Sequence, residues 1–225
     1  MENEIKIIWK DKYFAVVEKQ MGIPCQQDKT GDTDLLTLMK KQFEYVEVVN
    51  RLDRPVGGIV LISLDKSSTA KLNADFSDKS VVKKYLTVVH SESKPNESGV
   101  LVNYLLKNQR VNLSKVVDQN VNSAKYAELE YKLLESIANC HLLEIYLKTG
   151  RHHQIRVQLS HVNMPIIGDV KYFPKNIKKD ISCKFPALWS YYIEVNHPIS
   201  NEKMFFQSFP NEIEVFKNFN YIKNK

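Results

Sequence analysis

Short apolar runs interrupted by alternating polar positions recur along the chain and predict more strands than helices. The opening stretch "IKIIWKDKYFAVVEK" predicts two strands around a polar turn at Asp11 and Lys12. "GIVLIS" is a continuous β-branched apolar run, which is typical of a buried strand. "CHLLEIYLKTG" alternates, with Leu143, Ile145 and Leu147 on one face. Further strands are predicted in "KKYLTVVH", "ALWSYYIEVNHP" and "KMFFQSFP".

Three other segments carry apolar residues at helical spacing. "DLLTLMKKQF" follows aspartates that act as helix start signals, and "KSSTAKLNADFSDK" places Thr69, Leu72 and Phe76 on one face. "RHHQIRVQLSHV" is the third, with Thr149 as its expected N-cap. Because strands outnumber helices and often follow one another directly, we expect an α+β fold with a mostly antiparallel sheet.

Composition narrows the class of protein. The 225 residues are 43% hydrophobic, enough for a sizeable core, and no linker or repeat divides them, so we expect a single domain over 1–225. No apolar run approaches the roughly 18 residues of a membrane span, and "MENEIKIIWK" lacks the features of a secretory signal. Cys25, Cys140 and Cys183 are odd in number and far apart, which indicates reduced thiols in a cytoplasmic protein.

Basic residues carry the first functional signal. The formal net charge is +6, which suits a polyanion such as nucleic acid, although a solvated lysine surface gives the same number. The chain uses lysine for most of its 32 basic positions, yet four of its five arginines fall in "NRLDRP" and "TGRHHQIR". A guanidinium stacks on rings and grips carboxylates or phosphates with two parallel hydrogen bonds, so these two places require that geometry.

The first arginine stretch, "NRLDRPVGGIVLIS", predicts a stiff loop at the end of the sheet. Pro55 with Gly57 and Gly58 is expected to form a tight turn into the buried strand, and the glycines would let a substrate approach the backbone. Asp53 would then be held where a scaffold presents catalytic groups. The alternative is a surface salt bridge next to an ordinary turn.

The second stretch places Arg156 beside an apolar stripe through Ile155 and Leu159. An unpaired buried charge costs roughly several kcal/mol, so Arg156 needs an acidic partner. Asp53 is the obvious candidate. At about 4 Å and an effective dielectric near 20, such a pair interacts by roughly 4 kcal/mol, enough to keep the carboxylate ionised.

These stretches resemble the RluA-type RNA pseudouridine synthases. "NRLDRPVGGIVLIS" is similar to that family's His-Arg-Leu-Asp signature, and "KTGRHHQIRVQLSHVNMPIIGDVKY" to its Thr-Gly-Arg-x-His-Gln-Ile-Arg segment and Pro-Ile-x-Gly-Asp-x-x-Tyr continuation. "KKYLTVV", "EKQMGIP" and "NHP" match its Lys-x-Tyr, Lys-Pro-x-Gly and His-Pro segments. The matches follow the family's order and cover most of the chain.

The resemblance implies the pseudouridine synthase fold, a curved mixed sheet flanked by helices, and a cofactor-free, metal-free isomerisation of uridine in ribosomal or transfer RNA. It makes Asp53 the catalytic carboxylate, Tyr85 the aromatic partner of the target base and Arg156 the partner of Asp53. Arg51 would fill the gap left by the flipped uridine, which must leave its stack before chemistry on the base can occur. The other residues expected to contact RNA are Arg54, Arg151, His153 and Gln154.

Several positions depart from the family pattern and suggest a divergent subgroup with its own substrate choice. Asn50 replaces the usual His, "RPVGG" replaces a Thr-Ser-Gly turn, and Gln20 replaces Pro. We expect no S4-type RNA-binding module before the catalytic domain, so RNA selection is expected to come from the domain itself or from partners. By family resemblance we expect a monomer without a membrane partner.

Other residues receive structural interpretations. Tyr126 and Tyr131 are interpreted as sheet and core residues, and Asp169 as a turn and hydrogen-bonding residue. The histidines near 152–161 lack acidic or Cys neighbours at metal-ligand spacing, so no metal is expected there. The basic segment from Lys175 to Lys184 either contacts phosphates or is simply solvated.

Two rival functions stay open from the sequence. The first is an RNA-binding protein that keeps the fold but has lost turnover, which the altered motif residues allow. The second is a hydrolase with Asp53 as its nucleophile, which ranks last because the chain lacks a Gly-rich phosphate loop and a Ser–His pairing.

Overall fold

A computed structural model describes residues 5–78, 80–174 and 183–225, and the chain divides into two compact units. The first unit comprises residues 1–83 and 189–209, and the second comprises residues 84–188 and 210–225. Most of the predicted basic segment from Lys175 to Lys184 lies outside the described residues.

The described residues form strands that outnumber the helices, as the patterns predict. The strands are β1 (Lys6–Lys10), β2 (Phe14–Lys19), β3 (Glu47–Val48), β4 (Gly57–Ser63), β5 (Val82–His90), β6 (Ser98–Asn108), β7 (Leu113–Val117), β8 (Lys125–Ile137), β9 (Cys140–Leu147), β10 (Leu188–Asn196) and β11 (Lys203–Gln207). The helices are α1 (Leu35–Lys40), α2 (Lys66–Ser77), α3 (Gln154–His161), α4 (Glu214–Lys217) and α5 (Asn220–Lys223).

The first unit is built on the strand order β1-β2-β4-β10. β3 pairs with β4 and β11 with β10, both antiparallel, whereas β10 runs parallel to β4. Every residue of β4 is buried, because apolar residues of neighbouring elements cover both of its faces. Its core includes Phe14, Ile59, Leu72 and Ile193.

The second unit is an antiparallel ladder in the order β5-β9-β8-β6-β7, with α3, α4 and α5 in the same unit. β9 alternates as predicted, with Leu143, Ile145 and Leu147 buried and paired with β5 and β8. Tyr131 is buried at 8% exposure, as the core interpretation requires. Tyr126 lies on the same strand, β8, but is 38% exposed.

The predicted α+β class with a mixed, mostly antiparallel sheet is confirmed. Within the described residues, no helix is both long enough and apolar enough to cross a membrane. The predicted N-cap of α3 is wrong. α3 begins only at Gln154, and the Thr149 hydroxyl instead donates to the Gln154 side chain (2.8 Å) and accepts the Glu128 amide. The N-cap position is His153, which adopts a left-handed backbone (φ 55°).

Candidate active site

Asp53 opens a four-residue turn immediately before β4. The Val56 amide donates to the Asp53 carbonyl at 2.9 Å, so Arg54 and Pro55 occupy the central turn positions. The half-buried Asp53 therefore lies in the turn that leads into a strand buried throughout, and the Val56 amide fixes its carbonyl. The sequence predicts a turn before this strand, and the structure places it at residues 53–56.

The two glycines serve the sheet, which corrects the expectation that they form the turn and admit a substrate. Both lie in β4, opposite Trp189 and Ser190 of β10. A Cβ on Gly57 would stand 2.1 Å from the Trp189 ring, and one on Gly58 would stand 2.2 Å from the Ser190 carbonyl oxygen. Gly58 also has φ +113°, which L side chains rarely adopt. The turn itself ends at Val56.

Asn50, at the position where the family usually has His, extends the pairing of β4. Its Oδ1 accepts the Leu61 amide at 2.7 Å, and its Nδ2 donates to the Ile59 carbonyl at 3.4 Å. The Val49 amide adds a bond to the Leu61 carbonyl at 3.0 Å. The segment before Asp53 is thus anchored to the same buried strand that follows it.

A buried lysine, Lys19, bonds to the backbone of the Asp53 turn. Lys19, at the end of β2, is 0% exposed, and its ammonium donates to the carbonyls of Gln20 (3.1 Å), Ile23 (2.8 Å) and Arg54 (3.2 Å). Burial lowers the pKa of Lys19 to about 8, because leaving water penalises the charged form, and the Asp53 carboxylate is among the groups that oppose this fall. The lysine is mostly protonated at neutral pH, so the three carbonyls keep their donor.

Arg156 and Asp169 form a two-pronged ion pair inside the second unit. Nε of Arg156 donates to Oδ2 of Asp169 at 2.6 Å, and Nη2 donates to Oδ1 at 2.8 Å. Arg156 is 3% exposed and Asp169 is 0% exposed. Asp169 also accepts the amides of Lys171 and Tyr172, so its turn and hydrogen-bonding role is confirmed.

The face of Arg156 is covered by Tyr172, whose ring centroid lies 5.2 Å from the guanidinium carbon. The Tyr172 hydroxyl accepts the Ser114 amide at 2.7 Å and contacts Nδ1 of His153 at 2.8 Å. Burial and the nearby Arg156 charge lower the pKa of His153 to about 2, so the imidazole is neutral at physiological pH. In the neutral tautomer that carries its proton on Nε2, Nδ1 of His153 accepts a hydrogen bond from the Tyr172 hydroxyl, and this contact ties His153, next to α3, to the segment bearing Tyr172.

Gln154 and Arg151 are also engaged with β8. Oε1 of Gln154 accepts from the Thr149 hydroxyl and the Arg151 amide (2.9 Å), and its Nε2 donates to the Glu128 carbonyl at 3.0 Å. Gln154 is 3% exposed, whereas Arg151 is exposed and donates Nε to the Tyr126 carbonyl at 2.9 Å. Of these two, Arg151 is the residue that presents a side chain to solvent.

The remaining predicted site residues fall in separate units. Arg51 is exposed and precedes Asp53 in the first unit. Tyr85 is 8% exposed in β5 of the second unit, opposite Ile145 of β9. Because Asp53 belongs to one unit and Tyr85 and Arg156 to the other, the convergence of these three side chains stays a prediction.

Sequence reasoning missed two residues of this arrangement. The partner found for Arg156 is Asp169, and the available signal was an acid beside Gly168 shortly after the helix. The other is Lys19, the one basic residue in "FAVVEK", a strand whose residues are all buried. A charged residue inside such a strand must find oxygen partners, and the turn carbonyls supply them.

Comparison with known proteins gives the same family as the motifs. The family model described as RNA pseudouridylate synthase matches residues 13–161. A protein named "Ribosomal large subunit pseudouridine synthase C" from Vibrio parahaemolyticus is 33% identical over 175 residues, which is 76% of this chain and 54% of the relative. The protein of the same name from Rickettsia bellii is 31% identical over 170 residues, covering 74% and 56% of the two chains. The chain thus spans about half the length of the curated relatives it matches.

Solved structures share the fold. "Human RNA Pseudouridylate Synthase Domain Containing 1" superposes with a TM-score of 0.79 at 19% identity, covering 94% of this chain and 87% of the human one. "Human RNA Pseudouridylate Synthase Domain Containing 4" gives 0.74 at 21% identity, covering 90% and 87%. At these sequence identities the two human structures show a shared fold only. Membership of the family is shown by the family model, which matches residues 13–161, and by the curated relatives. The chain therefore belongs to the RNA pseudouridylate synthase family.

Proposed function

We propose that this protein isomerises uridine to pseudouridine in RNA, with Asp53 as the catalytic carboxylate. The observation that carries the proposal is the family match over residues 13–161, a range that includes Asp53, Tyr85 and Arg156. The printed names of the curated relatives refer to the large ribosomal subunit, so ribosomal RNA is the first candidate substrate and transfer RNA the second.

The proposed reaction keeps every atom of the uridine. The bond between N1 of uracil and C1′ of ribose breaks, the uracil turns within the site, and C5 joins C1′. The C5 proton leaves the ring and N1 gains one, so neither an oxidant nor a cofactor is needed. Asp53 is the carboxylate that acts on the ribosyl–uracil unit, and its fixed turn before β4 supports this role because catalysis depends on holding reacting groups in place.

The other residues take positioning and RNA-contact roles in the proposal. Tyr85 receives the flipped base against its ring, Arg156 pairs with Asp53, and Arg51 stacks in the vacancy left by the uridine. The exposure of Arg51 and Arg151 supports their contact with RNA. For His153 and Gln154 the expected RNA contact stays a prediction, whereas the side-chain bonds of Arg54 favour a positioning role over contact with RNA.

The proposal extends to the whole chain. Residues 1–225 act as a single catalytic domain, monomeric and cytoplasmic, without a metal or cofactor. Three widely spaced cysteines, none of which is disulfide-bonded in the described residues, support a reducing compartment.

The test is a pseudouridine assay with purified protein and uridine-containing ribosomal and transfer RNA transcripts. Wild type is expected to form pseudouridine, and Asp53→Asn to reduce the rate by at least about four orders of magnitude while keeping the RNA dissociation constant within about twofold. Asp78→Asn is the control, because it removes one exposed acid at the end of α2 and is expected to leave the rate unchanged.

Two outcomes would contradict the proposal. RNA binding without product from wild type, on native RNA as well as transcripts, would favour the inactive RNA-binding protein. Full activity of Asp53→Asn would assign the chemistry to another group.

A further inference from the structure

The side chain of Arg54, next to Asp53, is held by a loop of its own unit. Its Nε donates to the Gly22 carbonyl at 3.0 Å, and Nη1 donates to the Thr30 hydroxyl at 2.8 Å and to Asp28 at 3.4 Å. Nη2 donates to Oδ2 of Asp32. The link to Gly22 is reciprocal, because the Gly22 amide donates to the Arg54 carbonyl at 2.9 Å. One arginine thus closes a loop of about ten residues onto the turn.

The loop is shaped to receive this guanidinium. Oδ1 of Asp28 accepts the amide of Thr30 at 2.9 Å and its hydroxyl at 2.5 Å, and the same hydroxyl lies 3.0 Å from Asp32. Gly31 has φ +74°, which lets the chain turn between the two acids. The planar guanidinium of arginine can bond the carbonyl, the hydroxyl and both carboxylates at the same time. A lysine carries all its donors on one nitrogen and cannot reach the four groups together.

The residue on the other side of Asp53 is tied to the same segment. The Leu52 amide donates to Sγ of Cys25 at 3.3 Å, and that thiol donates to the Leu52 carbonyl at 3.4 Å. Burial raises the pKa of Cys25, which keeps it a thiol with a proton to donate. Both neighbours of Asp53 are therefore bonded to residues between 19 and 32, while the Asp53 carbonyl closes the turn to Val56.

We propose that Arg54 is a positioning residue for the reaction and not a phosphate contact. The inference rests on the proposed function of Asp53. Arg54 fixes the backbone on the C-terminal side of the carboxylate, and a displacement of about 1 Å in a reacting group can cost on the order of 100-fold in rate. Asp28 and Asp32 already neutralise Arg54, so a phosphate would have to compete with two carboxylates for this guanidinium.

The first test replaces the guanidinium and keeps the charge. Arg54→Lys is expected to lower kcat by roughly 10- to 100-fold while the RNA dissociation constant changes by less than about twofold. If Arg54 were a phosphate contact, the lysine variant would keep kcat near wild type, and Arg54→Gln would weaken RNA binding instead.

The second test frees the arginine from its loop. Asp28→Asn with Asp32→Asn is expected to lower kcat in the same way, and adding Arg54→Lys is expected to cause little further loss, because the three residues act as one unit. Asp78→Asn with Asp118→Asn is the charge-matched control, since both acids are exposed and lie outside this loop. A kcat of the Asp28/Asp32 variant equal to that of the control would show that the loop does not position Arg54, and would overturn the proposal.

A third measurement separates this proposal from the proposed function. Amide hydrogen exchange over residues 50–58 is expected to accelerate in Arg54→Lys and in the Asp28/Asp32 variant, relative to wild type, whether or not the protein has activity. Absence of pseudouridine from wild type alone would refute the proposed function. Unchanged exchange over 50–58 would refute the positioning role of Arg54 by itself.

Discussion

The ion pair between Arg156 and Asp169 is a residue-level contact on which the proposed site depends. Both side chains are buried, and each of the two carboxylate oxygens accepts a hydrogen bond from a guanidinium nitrogen. A buried pair contributes little when it is complete, but loss of one partner strands a charge away from water.

We expect Asp169→Asn to lower the free energy of unfolding by about 3 kcal/mol, because the amide keeps the volume but removes the negative charge that Nε and Nη2 of the buried Arg156 bond. Urea unfolding measures this. Glu212→Gln is the control, since its ion pair with Lys217 is exposed and is worth less than about 1 kcal/mol. Equal, small effects of the two substitutions would show that the buried charge finds another partner.

His153 gives the structure a pH dependence. Its pKa is about 2 in the folded protein and roughly 6.5 in the unfolded chain, so below pH 6.5 the unfolded state takes up a proton that the folded state does not. The stability present above pH 6.5 is therefore lost progressively as the pH falls towards 2. We expect the free energy of unfolding between pH 6 and 4 to fall less steeply in His153→Gln than in wild type. The two slopes are expected to differ by the uptake of about one proton on unfolding. Parallel slopes in urea unfolding would contradict the buried neutral imidazole.

At the scale of elements, β4 holds the segment that bears Asp53 in place. The Asp53 turn directly precedes this strand, and the Asn50 side chain bonds to its backbone. β10 can pack beside the first two residues of β4, Gly57 and Gly58, only because these residues lack side chains. The Ser190 backbone of β10 lies where the Cβ of a residue at position 58 would stand.

Gly58→Ala is expected to destabilise the protein by at least about 2 kcal/mol, since the methyl group meets backbone that cannot rotate away and the φ of +113° disfavours any L side chain. Gly150→Ala is the matched control, because nothing lies within 4 Å of its added Cβ, and we expect a change within about 0.5 kcal/mol. Thermal or urea unfolding of both variants gives the comparison. A tolerated Gly58→Ala would place β10 farther from β4.

Elements with strong local patterns could be predicted from the sequence, and those without could not. The β1–β2 hairpin is specified by alternation and by Asp11, whose carboxylate accepts the amides of Tyr13 and Phe14. β6 escaped prediction because its apolar residues do not follow burial, with Val100 and Val102 more than half exposed. α4 and α5 have four residues each, too few for a helical period to show.

The candidate site was predictable to the same degree. Asp53 and Arg156 could be named because arginines are scarce in this chain and concentrate around them. Asp169 and Lys19 could not be assigned as their supports, since the choice of partner depends on which distant segments fold together. The role of the glycine pair was misread for the same reason, because Trp189 and Ser190 lie far along the chain.

At the scale of the whole molecule, the net charge of +6 favours a polyanionic substrate. We expect RNA affinity to fall on the order of 10-fold or more between 50 and 200 mM salt, because bound phosphates release counterions. Arg51→Gln is expected to reduce the slope of log affinity against log salt by about 0.7, which is one phosphate contact on a single strand. A binding curve insensitive to salt would mean that the positive surface does not contact RNA.

The most direct test of the central claim is pseudouridine mapping of total RNA from cells that lack this gene, complemented with wild type or with Asp53→Asn. The account predicts that specific ribosomal or transfer RNA positions lose pseudouridine without the gene, regain it with wild type, and stay unmodified with Asp53→Asn expressed at the same level. Pseudouridine maps identical with and without the gene, or restored by Asp53→Asn, would contradict it.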